Sequence, residues 1–383
     1  MRKIDNSHKL FFELLRAGLW CDQRTVQEFK SLRIQDSVDW EKVYQLAQEQ
    51  SVQGVVLRGI EELRVKSIEL CVPKVLLLQW IGEVQMIEQR NKDMNVFVAE
   101  MIDKLRKNDV YAILVKGQGI AQCYDRSLWR VCGDVDLLLD EDNYIKAKSF
   151  LLSVAQHLSD ENQRNLHLAM TIDIWEVELH GSLRSHLWKN IEDVIDEVQK
   201  NTFDKKDVRV WKNGDTDVYL PSANNDVIFV FTHILQHFFL EGVGLRQVCD
   251  WCRLLWIYRD EIDVDLLESR LRRAGILSEW KALGSMSVEW LGMSEEAMPL
   301  YSPAAKWKRK AGCIMNYILE TGNMGHNRDW TYFGKYPYVI RKIISLCRHT
   351  WDIIRIFFIF PMDSVKMWGK MMGRGLGFVV EGK

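Results

Sequence analysis

Apolar positions over residues 1–107 recur with helical spacing. Leu10, Phe11, Leu14 and Leu15 share one face, and Trp40, Val43, Tyr44 and Ala47 share another. From Pro73 the segment KVLLLQWIGEVQMIEQRNKDMNVFVAEMIDKLRK runs on without another proline. Proline suits a first helical turn, and Asn108-Asp109 marks the stop. The pattern then changes. VYAILVKG (110–117) is short, rich in β-branched residues and closed by glycine, as a buried strand is. GIAQCYDR predicts a short helix, RVCGDVDLLLD (130–140) a second strand, and residues 142–157 a helix. IDIWEVELHG (172–181) predicts a third strand, alternating Trp175, Val177 and Leu179 with Glu176, Glu178 and His180. An Asn-Gly step between the extended runs of 208–219 predicts a hairpin. After Pro221-Ser222 helical periodicity returns in VIFVFTHILQHFF, LRQVCDWCRLLWIYR and LLESRLRRAGIL.

This order predicts an α+β protein. An N-terminal helical region (1–107) precedes an α/β core (108–220). A helical bundle packed on that core (221–300) and a basic, aromatic-rich helical region (301–383) follow. Length and composition agree: 383 residues, 47% hydrophobic and 27% charged with 6 prolines, bury substantial cores and exclude disordered, collagen-like and small disulfide-scaffold classes. Charge is uneven. Residues 301–383 hold 14 Lys and Arg against 5 Asp and Glu, whereas 1–300 hold 37 against 48. A tail of about +9 on a body of about −11 faces the body itself or an anionic surface. The aromatic tail YVIRKIISLCRHTWDIIRIFFIF suits a membrane interface, but packing of its apolar side on the acidic body is the preferred reading. No recognised nucleic-acid module accompanies it, and nucleic acid is not an expected partner. Cys249 and Cys252 have metal-like spacing without a second pair, and read as one helix face. The N-terminus lacks the apolar core of a signal peptide, and no apolar run reaches the roughly 18 residues of a membrane span. The expected location is cytoplasmic, with peripheral contact at the inner face of a membrane as the extension.

Three pieces of the core carry candidate chemistry. Lys116-Gly117-Gln118-Gly119 sits at a strand-to-helix junction, where glycines admit a phosphate to backbone N–H donors. Gly133-Asp134-Val135-Asp136 places two carboxylates on one strand face while Val135, Leu137 and Leu139 face a core. Such adjacent acids repel, and a divalent cation relieves the conflict. Glu178 supplies a third acid if its strand is a neighbour, with Glu176 as competitor.

In this order the chain resembles the nucleotidyltransferase superfamily of polymerase-β-like and aminoglycoside nucleotidyltransferases. It is most similar to a bacterial, polysaccharide-locus type with the pattern seen here as Leu114-Val115-Lys116-Gly117, Tyr124, Arg130, Gly133-Asp134-Val135-Asp136-Leu137-Leu138 and Glu178-Leu179-His180, with His167 upstream. Spaced histidines on a later helix (His233, His237) and Asp250 on the next also match. The specific motifs span 114–180. The resemblance implies a minimal nucleotidyltransferase core with a small mixed sheet. It further implies Mg²⁺, with Mn²⁺ as substitute, on Asp134, Asp136 and Glu178, which are also the catalytic residues. Lys116, Gly117, Gln118, Gly119, Arg130, His180, His233, His237 and Asp250 would contact the nucleotide. The reaction implied moves a nucleoside monophosphate from a nucleoside triphosphate to a hydroxyl of a sugar, glycan precursor or protein, releasing pyrophosphate. One departure weakens the match: the superfamily turn usually offers a serine hydroxyl, and Gly117-Gln118-Gly119 has none. Two rivals remain. A metal-dependent glycosyltransferase also uses Asp-x-Asp but needs alternating strands and helices ahead of it, where residues 1–107 are helical. A degenerate nucleotide-binding scaffold would explain the missing hydroxyl. His233 and His237 lack the glutamate of a His-Glu-x-x-His zinc motif, which leaves packing within a bundle as their other role. Asp250 has Arg246 and Arg253 within reach on its own helix.

Overall fold

The computed structural model describes residues 5–20, 38–68, 70–163, 166–185, 187–325, 327 and 331–380, and among these, four helices precede the first strand. They are α1 (Asn6–Trp20), α2 (Trp40–Glu49), α3 (Gln53–Val65) and α4 (Lys74–Lys107). Leu10, Phe11, Leu14 and Leu15 are buried, as are Trp40, Val43, Tyr44 and Ala47, so both periodic faces point inward. Helices α1 and α3 touch backbone to backbone. A Cβ on Gly18 would lie 1.9 Å from the Val55 carbonyl oxygen, and one on Gly59 would lie 1.9 Å from that of Leu14. The long helix α4 belongs to two cores. Leu76, Trp80 and Val84 join the N-terminal helices, whereas Met94, Val98, Met101, Ile102 and Leu105 cover the sheet.

That sheet is mixed and five-stranded. Its strands are β1 (Ile113–Val115), β2 (Val135–Leu138), β3 (His157–Leu158), β4 (His167–Ile172) and β5 (Trp175–His180), in the order β1-β2-β5-β4-β3. Only β2 and β5 run parallel. One face is wholly apolar. Val135, Leu137, Val177, Leu179, Leu168 and Met170 pack on α4 and on α6 (Glu141–Leu151), where Tyr144 and Ala147 are buried. By strand alternation the opposite face carries Asp136, Glu178, His180 and His167. A short helix α5 (Gly117–Ala121) follows β1.

Three local expectations need correction. Residues 172–181 are not one strand: β4 and β5 form a hairpin turning at Asp173, whose φ is +55°. Apolar alternation runs straight through Ile172 and Ile174 and hides the turn. The helix expected over 142–157 stops at Leu151, and His157–Leu158 adds an edge strand. The second strand narrows to four residues.

Beyond the sheet lie α7 (Lys189–Asp204), the hairpin β6–β7 (Val208–Asn213, Thr216–Pro221), α8 (Ala223–Leu240), α9 (Leu245–Ile257), α10 (Val264–Ala274), α11 (Leu277–Glu289) and α12 (Ala305–Thr321). The Asn-Gly hairpin is as expected. Cys249 and Cys252 are free thiols buried on α9. Three last helices, α13 (Tyr332–Lys335), α14 (Tyr338–Phe357) and α15 (Pro361–Val380), complete the chain. Ile353, Ile356, Phe360 and Met367 pack into the body's core, and Arg355 pairs with Glu320. Ile340, Ile343, Trp351 and Ile354 stay exposed, so the tail docks on the body through one side only. Among the described residues no helix is long and apolar enough to cross a membrane.

Candidate active site

Parallel pairing of β2 with β5 sets Asp136 directly beside Glu178. Asp134 lies just ahead of β2, and carboxylate oxygens of Asp134, Asp136 and Glu178 all fall within 4.8 Å of one another. The competitor Glu176 is exposed on β5 opposite Thr171 and is not in this group.

Lys116, between β1 and α5, has φ +57° and ψ −144°, a conformation costly for any residue with a Cβ. Its ammonium lies 2.8 Å from Asp136 Oδ1. Gly117, at φ +38°, continues the sharp turn and lines the cleft beside it. The rest of the turn points elsewhere. Gln118 is buried against Met94 on α4, and Gly119 packs on Leu220, where a Cβ would lie 2.8 Å from a methyl. Neither residue lines the cleft beside Lys116. Helix α5 has only five residues, so its dipole adds less than a full helix would.

His180 Nε2 lies 2.7 Å from Asp136 Oδ1 and 3.2 Å from Glu178 Oε2, and His167 Nε2 lies 3.2 Å from the same Glu178 oxygen. The charges adjust accordingly. The negative charge of Asp136, followed by burial, pushes the Asp134 carboxyl above its usual value despite Lys116. Burial works against ionised Asp136, but Lys116 and the His180 hydrogen bond outweigh it and hold Asp136 below the usual range. Hydrogen bonds from His167 and His180 hold Glu178 far down. Burial disfavours charged His180, and Asp136 and Glu178 reverse that and raise it.

Arg130 and Asp250 meet, but with each other. The Arg130 guanidinium donates to both Asp250 oxygens, at 3.1 and 2.6 Å, and Tyr124 Oη donates to Asp250 Oδ1 at 2.8 Å. Asn91 fixes the preceding turn by donating to the Leu128 and Arg130 carbonyls, each at 2.8 Å. The partners expected for Asp250 on its own helix are otherwise engaged. Arg253 donates to the Cys123 and Leu19 carbonyls and to Asp125, while Arg246 Nη1 donates to the Val131 carbonyl at 2.8 Å. Arg246 is the residue missed in the sequence. Its Nε is buried without a hydrogen-bond partner, and its side chain lines the carboxylate hollow.

Helix α8 closes the cleft. His237 Nε2 lies 3.0 Å from His233 Nε2, and His237 Nδ1 lies 2.9 Å from Glu241 Oε2. Burial, with the Lys116 charge next, pushes His233 well below its ordinary value and keeps it neutral. Two adjoining hollows share Lys116, Glu178, His233 and His237. One, about 210 Å³, holds Asp134, Asp136 and Arg246. The other, about 310 Å³, is lined by Ser182, Ser185, Thr232 and Gln236. Together they are of small-molecule size.

Three acids, two on the parallel-paired strands β2 and β5 and one just ahead of β2, thus floor a cleft on a small mixed sheet. The family model described as "Uncharacterised nucleotidyltransferase" matches residues 36–292, two thirds of the chain, and the chain belongs to that family. No curated protein and no solved structure matches it.

Proposed function

We propose that this protein transfers a nucleoside monophosphate from a nucleoside triphosphate to an acceptor hydroxyl, with Mg²⁺ on Asp134, Asp136 and Glu178. The convergence of those three carboxylates at one cleft carries the reading. Oxygen donors so close together fit a hard divalent cation, and the raised Asp134 carboxyl marks charge left for one to balance. The chemistry such an ion supplies, Mn²⁺ serving in its place, is neutralisation of phosphate charge and alignment of the reacting oxygens.

The chain's own residues do the rest. Lys116 and Arg246 face the triphosphate, and Arg246 brings an N–H with no protein acceptor. Arg130, tied to Asp250, positions the loop before β2. His233 presents a neutral imidazole to both hollows and, with His237 and Glu241 behind it, orients the acceptor hydroxyl, whose proton passes to water in the open hollow. The acceptor oxygen bonds to the α-phosphorus, and the bond from that phosphorus to the bridging oxygen of the β-phosphate breaks, releasing pyrophosphate. The hydroxyl and amide lining of the larger hollow supports a hydroxylated acceptor of the sugar or glycan-precursor class, in keeping with a surface-polysaccharide pathway.

Intact-mass measurement of candidate acceptors, including the protein itself, after incubation with each nucleoside triphosphate and Mg²⁺ tests this. A gain of one nucleotide with pyrophosphate release supports it. Transfer from a nucleotide sugar instead, or nucleotide binding with no release, overturns it. The exposed Ile340, Ile343, Trp351 and Ile354, in a region of basic excess, further support peripheral contact with an anionic membrane. Co-sedimentation with phosphatidylserine vesicles, absent with neutral ones, is the expected result.

A further inference from the structure

His167 and His180 face each other across the β4–β5 ladder, in register, with ring centroids 4.8 Å apart. Both aim Nε2 at one oxygen, Glu178 Oε2, and both stand 3.2 Å from it. Nucleotide transfer as outlined above needs neither imidazole there. His180 Nε2 also faces Asp136 Oδ1 at 2.7 Å, so a single N–H is shared between two carboxylates. One proton cannot serve both well, whereas a cation can. Ligand atoms around a metal with bonds of about 2.1 Å stand about 3.0 Å apart along an octahedral edge and about 3.4 Å along a tetrahedral one. The two 3.2 Å separations fall between these values.

We propose that His167 Nε2, His180 Nε2 and Glu178 Oε2 form a second cation position, bridged through Glu178 to the one formed with Asp134 and Asp136. The proposal deepens the metal-dependent reading of the cleft and rests on it for the carboxylate half alone. The two positions differ in chemistry. Three carboxylates suit Mg²⁺ or Mn²⁺, whereas two imidazoles and one carboxylate favour a borderline cation such as Zn²⁺ while still admitting Mn²⁺. Three protein ligands leave coordination positions open to water or substrate, as in catalytic rather than structural sites. The larger hollow gives access: the His167 side chain is 37% exposed and the Glu178 side chain 27%. The Ala169 methyl opposite Glu178 leaves the carboxylate room between the two rings.

The test uses full-length, tag-free protein stripped with chelator and titrated with Mn²⁺, followed by electron paramagnetic resonance and electron spin echo modulation. Two Mn²⁺ per chain are expected, one carrying ¹⁴N modulation from imidazole. His167→Ala weakens that ion by more than about a hundredfold, beyond the roughly 10–100-fold loss of an outer-shell partner. The His167→Ala/His180→Ala double variant abolishes the ¹⁴N signal. Asp134→Asn removes the carboxylate-bound ion and leaves the nitrogen-coupled one. Absence of ¹⁴N modulation in the unaltered protein, or its persistence in the double variant, overturns the proposal. Because His167 is partly exposed, its single variant folds, and a thermal melt checks this. Failure of nucleotide transfer with the nitrogen-coupled ion still present would sink the reading of the reaction and spare the site.

Discussion

Two regions of this molecule bring acids together out of water, and they settle the conflict in opposite ways. At the foot of the C-terminal helices, Glu279 on α11 is fully buried and meets Asp363 at the start of α15. Burial, reinforced by Asp363, pushes Glu279 up to about 8, so Glu279 holds its proton at neutral pH. In the cleft, Asp136 and Glu178 are held below their usual values by Lys116 and two histidines, and only Asp134 is pushed up. Burial of acids does not make a site. What distinguishes the cleft is that neighbouring cations keep the acids ionised while an open hollow gives a ligand access to them. Arg130 and Asp250 form the third case, opposite charges closed on each other.

The largest effect that would break this contrast belongs to the closed pair. Asp250→Ala leaves the Arg130 guanidinium buried without its counter-ion, and chemical denaturation is expected to show a loss of about 3–5 kcal/mol. Next comes the cleft. Asp134→Asn is expected to lower nucleotide transfer about 10²–10³-fold with no fall in melting temperature, since the Asp136 charge and burial push its carboxyl up and losing that charge relieves the repulsion. A parallel loss of stability would mean that the acids are structural. Arg246→Gln should weaken triphosphate binding about ten- to a hundredfold in calorimetry, the worth of a charge-assisted hydrogen bond, with little change in stability. The smallest effect at neutral pH sits at Glu279. Its folded value lies above its ordinary 4.5, so the folded chain holds the extra proton between about 4.5 and 8. Its contribution to stability is complete below that window and is lost as pH rises through 8. Glu279→Gln should therefore flatten the decline in denaturation midpoint between pH 6 and pH 9. An unchanged slope would place the proton elsewhere.

The acids of the cleft were legible in the sequence because strand geometry has a short period. Asp134, Asp136 and Glu178 alternate with residues that had to be buried, so their common face follows from local pattern. The long helix α4 was legible for the same reason. What local pattern missed was decided by contacts between distant segments. Asp250 was expected to pair along its own helix, yet a buried fork from Arg130, 120 positions away, offers two charge-assisted hydrogen bonds where an exposed helix pair gains little. Arg246 looked like one more helix cation until packing withdrew its Nε from water. Gln118 read as part of a phosphate turn, but the bend at Lys116 and Gly117 swings it into the core below α4. The β4–β5 turn vanished because its flanking isoleucines imitate an uninterrupted strand.

Side-by-side pairing of β2 with β5 also has a consequence for the order of assembly. Between them the chain must form α6, lay down the outer edge strand and reverse through β4 before Glu178 can slot beside Asp136. Such long closures are slow compared with local helix formation. A nascent chain that ends near residue 150 therefore carries two aspartates but no third acid, and its roofing helix α8 is not yet made. The three-acid cleft beneath α8 is therefore complete only once nearly two thirds of the polypeptide has emerged.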